Sequence, residues 1–138
     1  MKGLALSNLR LESTLAMQPQ QNVSLRDPSN FNKLSMLEFY KALEINPNYP
    51  ALHNNLGNAF KELGQLKDAL KSYKSALIHN PDNADSHNYI GNIFSELGQH
   101  DDAVKSYERA IGINPEYADA YNNLGNALRD SEQLESAL

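Results

Sequence analysis

The chain has 138 residues, of which 41% are hydrophobic and 21% charged, and these proportions are typical of a folded domain rather than a disordered or fibrous chain. It contains no cysteine, which excludes disulfides, thiolate metal sites and cysteine nucleophiles. No apolar run approaches the roughly 20 residues of a membrane-spanning helix, and the first residues do not form a secretory apolar region. We therefore expect an intracellular, cytoplasmic protein with no membrane partner.

The formal net charge of -5 is unevenly distributed along the chain. Residues 1 to 49 carry five Lys and Arg against four Asp and Glu, whereas residues 50 to 138 carry seven against thirteen. A nucleic-acid-binding surface needs basic side chains that neutralise phosphates. We therefore expect no nucleic acid partner.

The first part of the chain lacks the regular pattern that follows it. Residues 1–30 include Pro19 and Pro28 and are predicted to form a divergent or disordered N-terminal segment. A divergent cap, a short helix followed by a linker, and unrelated sequence joined to the repeats are the alternatives for this segment. Residues 31–49 contain Phe39 and Asn46-Pro47 at positions that match the second half of the repeat described next, and they are predicted to form the second helix of a degenerate repeat.

An internal repeat of 34 residues organises the rest of the chain. Residues 50–83 and 84–117 are identical at 17 of 34 positions, and a third, truncated copy occupies residues 118–138. Each complete copy has apolar residues at helical spacing on both sides of a Leu-Gly-Gln turn and ends in Asn-Pro, which stops a helix. Each is therefore predicted to be a pair of helices, at 51–63 and 67–79 in the first copy. The third copy has Ser131-Glu132 at the turn, so we expect a strained or rebuilt turn before its second helix.

Small residues recur inside the predicted helices. Gly57, Gly91 and Gly125 occupy the same position of the three copies, although glycine in a helix interior costs about 1 kcal/mol relative to alanine. The recurrence predicts that a neighbouring helix approaches closely at each glycine. Tyr73 and Tyr107 are predicted to fill the space between the helices.

These positions carry a family resemblance. His53, Leu56-Gly57, Phe60, Ala69, Tyr73 and Pro81 resemble the tetratricopeptide repeat signature, and the second copy matches it at the corresponding residues. The third copy matches through Tyr121, Leu124-Gly125 and Ala137, with Leu128 at the aromatic site. The resemblance implies an all-α fold, a right-handed α-solenoid of tetratricopeptide helix-turn-helix repeats. It also implies that the first helix of each repeat lines a concave groove that holds a protein or an extended peptide.

The same resemblance places nine residues on the groove, and eight of them are asparagines that can both donate and accept hydrogen bonds. They are Asn54, Asn55, Asn58, Asn88, Tyr89, Asn92, Asn122, Asn123 and Asn126. The column can also be an inherited pattern without a ligand. Relatives that clamp an acidic peptide use Lys and Arg here, whereas this chain has Asp85 and Asp119 with Lys61 and Arg129, so a carboxylate clamp is not expected.

No residues suggest catalysis, a cofactor or a metal ion. His53 and His87 lie one repeat apart, too far to share a metal ion, and are interpreted as packing residues. His100-Asp101-Asp102 suits a helix N-terminus electrostatically. The chain is therefore predicted not to be an enzyme, and no nucleophile or phosphate-binding loop is present.

Three classes of function follow. The first is a protein–protein interaction module that binds a partner in the groove. The second is the substrate-recognition part of a larger glycosyltransferase, because the asparagine column resembles that of the protein O-linked N-acetylglucosaminyltransferases. The third is structural self-assembly, because an uncapped apolar end is expected to make the isolated chain dimerise through Leu124, Leu128, Leu134 and Leu138.

Overall fold

The computed structural model describes residues 28–137 and the side chains of residues 34–133. This part of the chain contains six α-helices and no strand, which confirms the predicted all-α repeat solenoid. The helices are α1 Pro28–Ile45, α2 Pro50–Glu62, α3 Leu66–His79, α4 Ala84–Glu96, α5 His100–Ile113 and α6 Ala118–Ala137. The helices α2 and α3 form the first complete repeat, α4 and α5 form the second, and α6 begins the third.

Local sequence signals set the helix ends. Pro28 and Pro50 each stand at the first position of a helix, where the fixed φ of proline suits helical geometry and its missing N–H has no intrahelical partner to lose. The side chain of Asn83 accepts a hydrogen bond from the backbone N–H of Ser86 and caps α4. In both complete repeats the turn between the helices contains a glycine with a φ of +77°, Gly64 or Gly98.

The first helix of the degenerate repeat is not part of the described structure, but the second is. α1 begins at Pro28, three residues inside the segment that was predicted to be divergent or disordered, and ends at Ile45. It packs against α2 through Met36 and Leu43, both of which are buried. The predictions for residues 1–27 concern residues outside the described part of the chain.

The third copy differs from its prediction. No turn interrupts α6, which runs from Ala118 to Ala137 through Ser131 and Glu132. The reason is the missing glycine, since Glu132 stands where Gly64 and Gly98 adopt a positive φ that an L side chain rarely takes. The prediction of a turn at Ser131-Glu132, with a second helix after it, is therefore wrong.

The core consists of layers between successive helices. Three buried clusters follow one another along the stack, centred on Leu43 and Leu56, on Tyr73 and Ile93, and on Tyr107. A Cβ atom on Gly57 would lie 2.5 Å from Cε1 of Tyr73, and a Cβ on Gly91 would lie 2.5 Å from the same atom of Tyr107. The predicted close approach is thus present at two of the three glycines, whereas a Cβ on Gly125 would meet nothing within 4 Å.

Candidate groove on the first helices

The first helices α2, α4 and α6 carry all nine predicted site residues, but the structure divides these residues into groups with different surroundings. Two of them are buried between repeats. Two accept hydrogen bonds from tyrosines of their own repeat. The remaining five are exposed or half-buried: Asn55, Tyr89, Asn122, Asn123 and Asn126.

Asn54 and Asn88 do not line a groove, which corrects the prediction for these two residues. Asn54 is 8% exposed, and its Oδ1 accepts a hydrogen bond of 2.8 Å from Oγ of Ser86 in the next repeat. Asn88 is 4% exposed, and its Oδ1 accepts a bond of 3.1 Å from Nδ2 of Asn123. A buried amide needs such a partner. These two amides therefore join consecutive first helices.

Asn58 and Asn92 lie one helical turn further along and are half-buried. Oδ1 of Asn58 accepts a hydrogen bond from the hydroxyl of Tyr73, and Oδ1 of Asn92 accepts one of 2.7 Å from the hydroxyl of Tyr107. The third copy has no described tyrosine at this place, and Oδ1 of Asn126 accepts a 3.0 Å bond from Nη2 of Arg129 instead. The oxygens of Asn58 and Asn92 thus fix the second helix of each complete repeat.

A first depression of about 220 Å³ lies where α1 meets α2. Ser35 and Phe39 of α1 and Asn55, Asn58 and Glu62 of α2 line it. It combines an aromatic ring, amides and a carboxylate. Such a surface can bind a short segment of extended chain through both apolar contact and backbone hydrogen bonds.

A second depression of about 380 Å³ lies across α4 and α6. Three of the predicted residues line it, namely Asn92, Asn123 and Asn126. Glu96 and Asp130 also line it, and Nζ of Lys61 lies 3.7 Å from Oε1 of Glu96. Because the lysine is already paired with one of the two carboxylates, the charge in this depression is net negative.

The tyrosines beside the groove stay protonated over the neutral range. Burial raises the pKa of Tyr89, with the carboxylate of Asp85 as the next cause. The ring of Tyr89 lies 5.3 Å, between centroids, from the ring of Tyr73 in the preceding repeat. Burial likewise raises the pKa of Tyr107. Both hydroxyls are therefore neutral, and that of Tyr107 donates its hydrogen to Asn92.

The histidines have structural partners. Nε2 of His53 lies 3.0 Å from the carbonyl oxygen of Pro47, and Nε2 of His87 lies 3.1 Å from that of Pro81. Each imidazole therefore ties a first helix to the loop before it, consistent with the packing role expected for them. Among the described residues, no three His, Asp or Glu side chains come together as a metal site would require. Within residues 28–137, no helix combines the length and the apolar character needed to cross a membrane.

Several lining residues were not predicted as site residues. Ser35 and Phe39 belong to a helix that has no detectable first-helix partner in the sequence, so their position beside the asparagines depends on how α1 packs. Glu62, Glu96 and Asp130 occupy one position of the three copies, four residues after Asn58, Asn92 and Asn126. This i, i+4 spacing places each acid beside an asparagine on one helix face and is a signal that the sequence already contained.

Comparison with known proteins gives a consistent picture. A model described as "TPR repeat" matches residues 57–98 and 91–131, which together cover more than half of the chain, and one described as "Tetratricopeptide repeat" matches residues 38–71. No curated protein sequence matches. The first tetratricopeptide repeat domain of Spaghetti (RPAP3), solved with the HSP90 peptide SRMEEVD, is 20% identical, with a TM-score of 0.69 over 88% of this chain and 90% of that one. MamA is also 20% identical, with a TM-score of 0.69 over 99% of this chain and 78% of its own. At this identity the two structures show the shared fold.

Proposed function

Because the chain belongs to the tetratricopeptide repeat family, we propose that it is a protein–protein interaction module that binds an extended peptide or a protein segment along its first helices. The observation that carries the proposal is the set of residues that line the two depressions. Between them they contain five of the nine predicted residues: Asn55, Asn58, Asn92, Asn123 and Asn126. We place this function inside the cell, in the cytoplasm, and assign no catalytic step to the chain.

The charge of the depressions indicates the class of partner. The structure of the Spaghetti domain was solved with a peptide whose sequence contains two adjacent glutamates and a terminal aspartate. In the present chain, Glu62, Glu96 and Asp130 line the depressions, and the one lysine there is paired. Like charges repel a carboxylate-rich peptide. We therefore propose a partner segment that is neutral or basic, read mainly through its backbone.

A second candidate is the substrate-recognition part of a glycosyltransferase that resembles the protein O-linked N-acetylglucosaminyltransferases. It rests on the asparagine column. Four of the column's amides already hold helices together, those of Asn54, Asn58, Asn88 and Asn92. The column therefore has a structural explanation that needs no glycosyltransferase, whereas the interaction module also rests on the two depressions.

The test separates the amides from the hydrogen bonds in which they take part. Peptides are selected from a random displayed library on the unmodified chain, and their affinities are measured by calorimetry at concentrations where light scattering shows one species. Asn58→Ala/Asn92→Ala is expected to weaken binding by roughly tenfold or more, the cost of one or two lost hydrogen bonds. Selected peptides are expected to be poor in Asp and Glu.

The matched control is Tyr73→Phe, compared with Asn58→Ala alone: it breaks the same hydrogen bond but leaves the amide in place, and Tyr73 lines neither depression. It is expected to keep peptide affinity. Equal losses in Asn58→Ala and Tyr73→Phe would show that helix position matters rather than amide contact. A library that yields no binder, or binders unaffected by the asparagine changes, would refute the groove.

A further inference from the structure

The second depression already contains a cation of the chain itself. Lys61, at the end of α2, reaches Glu96 of α4, and these side chains are 37% and 47% exposed. Because an ion pair this exposed holds its partners only weakly, another cation can replace the lysine. Asp130 lines the same depression, and among the described residues no basic side chain forms an ion pair with it. The depression therefore accepts an ammonium group and has a second carboxylate that this group does not neutralise.

The amides that line this depression have a fixed polarity. Oδ1 of Asn92 accepts the hydrogen bond from Tyr107, so the Nδ2 group of Asn92 is left to donate. Oδ1 of Asn126 accepts from Arg129, which leaves its Nδ2 group to donate as well. Asn123 has the opposite polarity, because its Nδ2 donates within the chain and its oxygen is left to accept. Together they offer donors for a backbone carbonyl oxygen and an acceptor for a backbone N–H.

The two carboxylates lie one helical turn beyond two of these amides. Glu96 follows Asn92 by four residues on α4, and Asp130 follows Asn126 by four residues on α6. Four residues of an α-helix rise by about 6 Å, which is close to the reach of an extended lysine or arginine side chain. A peptide backbone held at the amides can therefore place a basic head group between the carboxylates.

We propose that the second depression binds one arginine of the partner segment, an inference that rests on the function proposed above. Its guanidinium takes the place of Nζ of Lys61 beside Glu96 and also pairs with Asp130. Arginine suits this position better than lysine, because its planar group carries five N–H donors in a fixed fork and is less strongly hydrated than an ammonium. The first depression has one carboxylate among its lining residues, that of Glu62, so the arginine is expected over α4 and α6.

The first experiment uses an acetylated and amidated pentapeptide with arginine between two pairs of alanines. Citrulline replaces the arginine in the matched peptide, since its urea group has the shape of a guanidinium without the charge. In NMR titrations of the full chain, the arginine peptide is expected to shift the side-chain amide signals of Asn92 and Asn126 to saturation and to leave that of Asn55 unchanged. The lysine peptide is expected to need several-fold higher concentrations. Equal shifts with citrulline, no saturable shift, or equal affinity for lysine would contradict the arginine site.

Substitutions that change one charge test the exchange of cations. Asp130→Asn is expected to weaken binding of the arginine peptide by roughly tenfold, the cost of one lost hydrogen-bonded charge pair. Lys61→Gln is expected to tighten it several-fold, because the competing ammonium is gone. Glu62→Gln and Lys74→Gln make the same changes of net charge outside the second depression and are the controls, with unchanged affinity expected. Circular dichroism checks that all four variants keep their helix content.

The outcomes that count against the arginine site differ from those that count against the groove. Weaker binding in Lys61→Gln would mean that the lysine stays in place and contacts the ligand, and a loss in Glu62→Gln as large as in Asp130→Asn would mean that net charge alone attracts the peptide. Peptides selected from the displayed library are expected to share an arginine at one position. Binders that depend on the asparagines but share no arginine would overturn this inference and leave the interaction module standing, whereas a library without binders would remove both.

Discussion

Tyr73 and Tyr107 each hold a complete repeat together at two points. The ring packs on a glycine of the first helix, and the hydroxyl donates to the asparagine that follows this glycine in sequence. A larger residue at the glycine would push the ring away, and with it the hydroxyl. The Gly-Asn pair of each first helix is therefore one structural unit together with a tyrosine of the second helix.

This unit gives opposite expectations for the same substitution at two glycines. Gly57→Ala is expected to destabilise the chain by roughly 1–3 kcal/mol, because the new Cβ overlaps the ring of Tyr73 in a packed core. Gly125→Ala is expected to stabilise α6 by up to about 1 kcal/mol, since the position is open and alanine is the better helix former. Urea unfolding followed by circular dichroism measures both. Equal signs for the two variants would contradict the two-point contact.

At this scale the sequence was only partly informative. The recurrence of glycine predicted close helix approach, and the structure bears this out at Gly57 and Gly91 because a tyrosine follows one helix later in both repeats. The same recurrence failed at Gly125, since no described helix covers it. The burial of Asn54 and Asn88 could not be foreseen from the asparagine column. The buried asparagines lie only one helical turn before Asn58 and Asn92, which line the depressions. The period of the repeat alone does not say which asparagines face the next repeat and which face the groove.

The turns between helices depend on a single conformational requirement. Gly64 and Gly98 have the same positive φ, and in each case the backbone N–H of the following glutamine bonds back to a phenylalanine carbonyl in the preceding helix. Where Glu132 replaces the glycine, the helix continues instead. The internal repeat led to the expectation of a strained or rebuilt turn here, but the turn requires a glycine, and the third copy does not have one at this position.

Restoring the turn residues is expected to divide α6. The change Ser131→Leu/Glu132→Gly recreates the Leu-Gly pair of the complete repeats, and glycine in a helix interior costs about 1 kcal/mol relative to alanine. Hydrogen exchange is expected to show a loss of protection at residues 133–137 relative to residues 120–128. Glu132→Ala is the control and is expected to keep or raise protection along the whole helix. Unchanged exchange in the double variant would show that contacts with α5, such as that between Ser131 and Asp101, hold the helix instead.

Across the whole molecule, the repeats are joined by buried amides as well as apolar layers. Asn88→Ala removes the acceptor for Asn123 and leaves a gap between α4 and α6, so we expect a loss of about 1–3 kcal/mol. Asn122→Ala makes the same change in the last copy, where the side chain is exposed, and is expected to stay within about 0.5 kcal/mol. Both are measured by urea unfolding at a concentration where the chain is monomeric. A large effect at Asn122 would argue against the described surroundings.

The architecture was the most predictable property of the chain, because a period of 34 residues repeats every local signal at once: helix spacing, turn glycine and terminating proline. The helix ends of the first complete repeat agree with the predicted ranges 51–63 and 67–79 to within one residue. The groove was less predictable. Its first depression depends on how α1 packs, and its charge depends on Glu62, Glu96 and Asp130, which are not part of the asparagine pattern. The boundaries assigned to the repeats stay predictions.

The hydrogen bonds between repeats also bear on how such a chain can change in length. Asn54 accepts its hydrogen bond from Ser86, whereas Asn88 accepts its hydrogen bond from Asn123. Within its own repeat, Asn123 lies three positions after the place that corresponds to Ser86. The second and third copies thus supply different donors to the same acceptor position, which is an asparagine in all three copies. An in-frame deletion of residues 84–117 would set Asn54 against Asn123, and a duplication of that unit would set Asn88 against a second Ser86. In both cases the junction keeps its donor and acceptor, so recombination can remove or add a whole unit without leaving a buried amide unpaired.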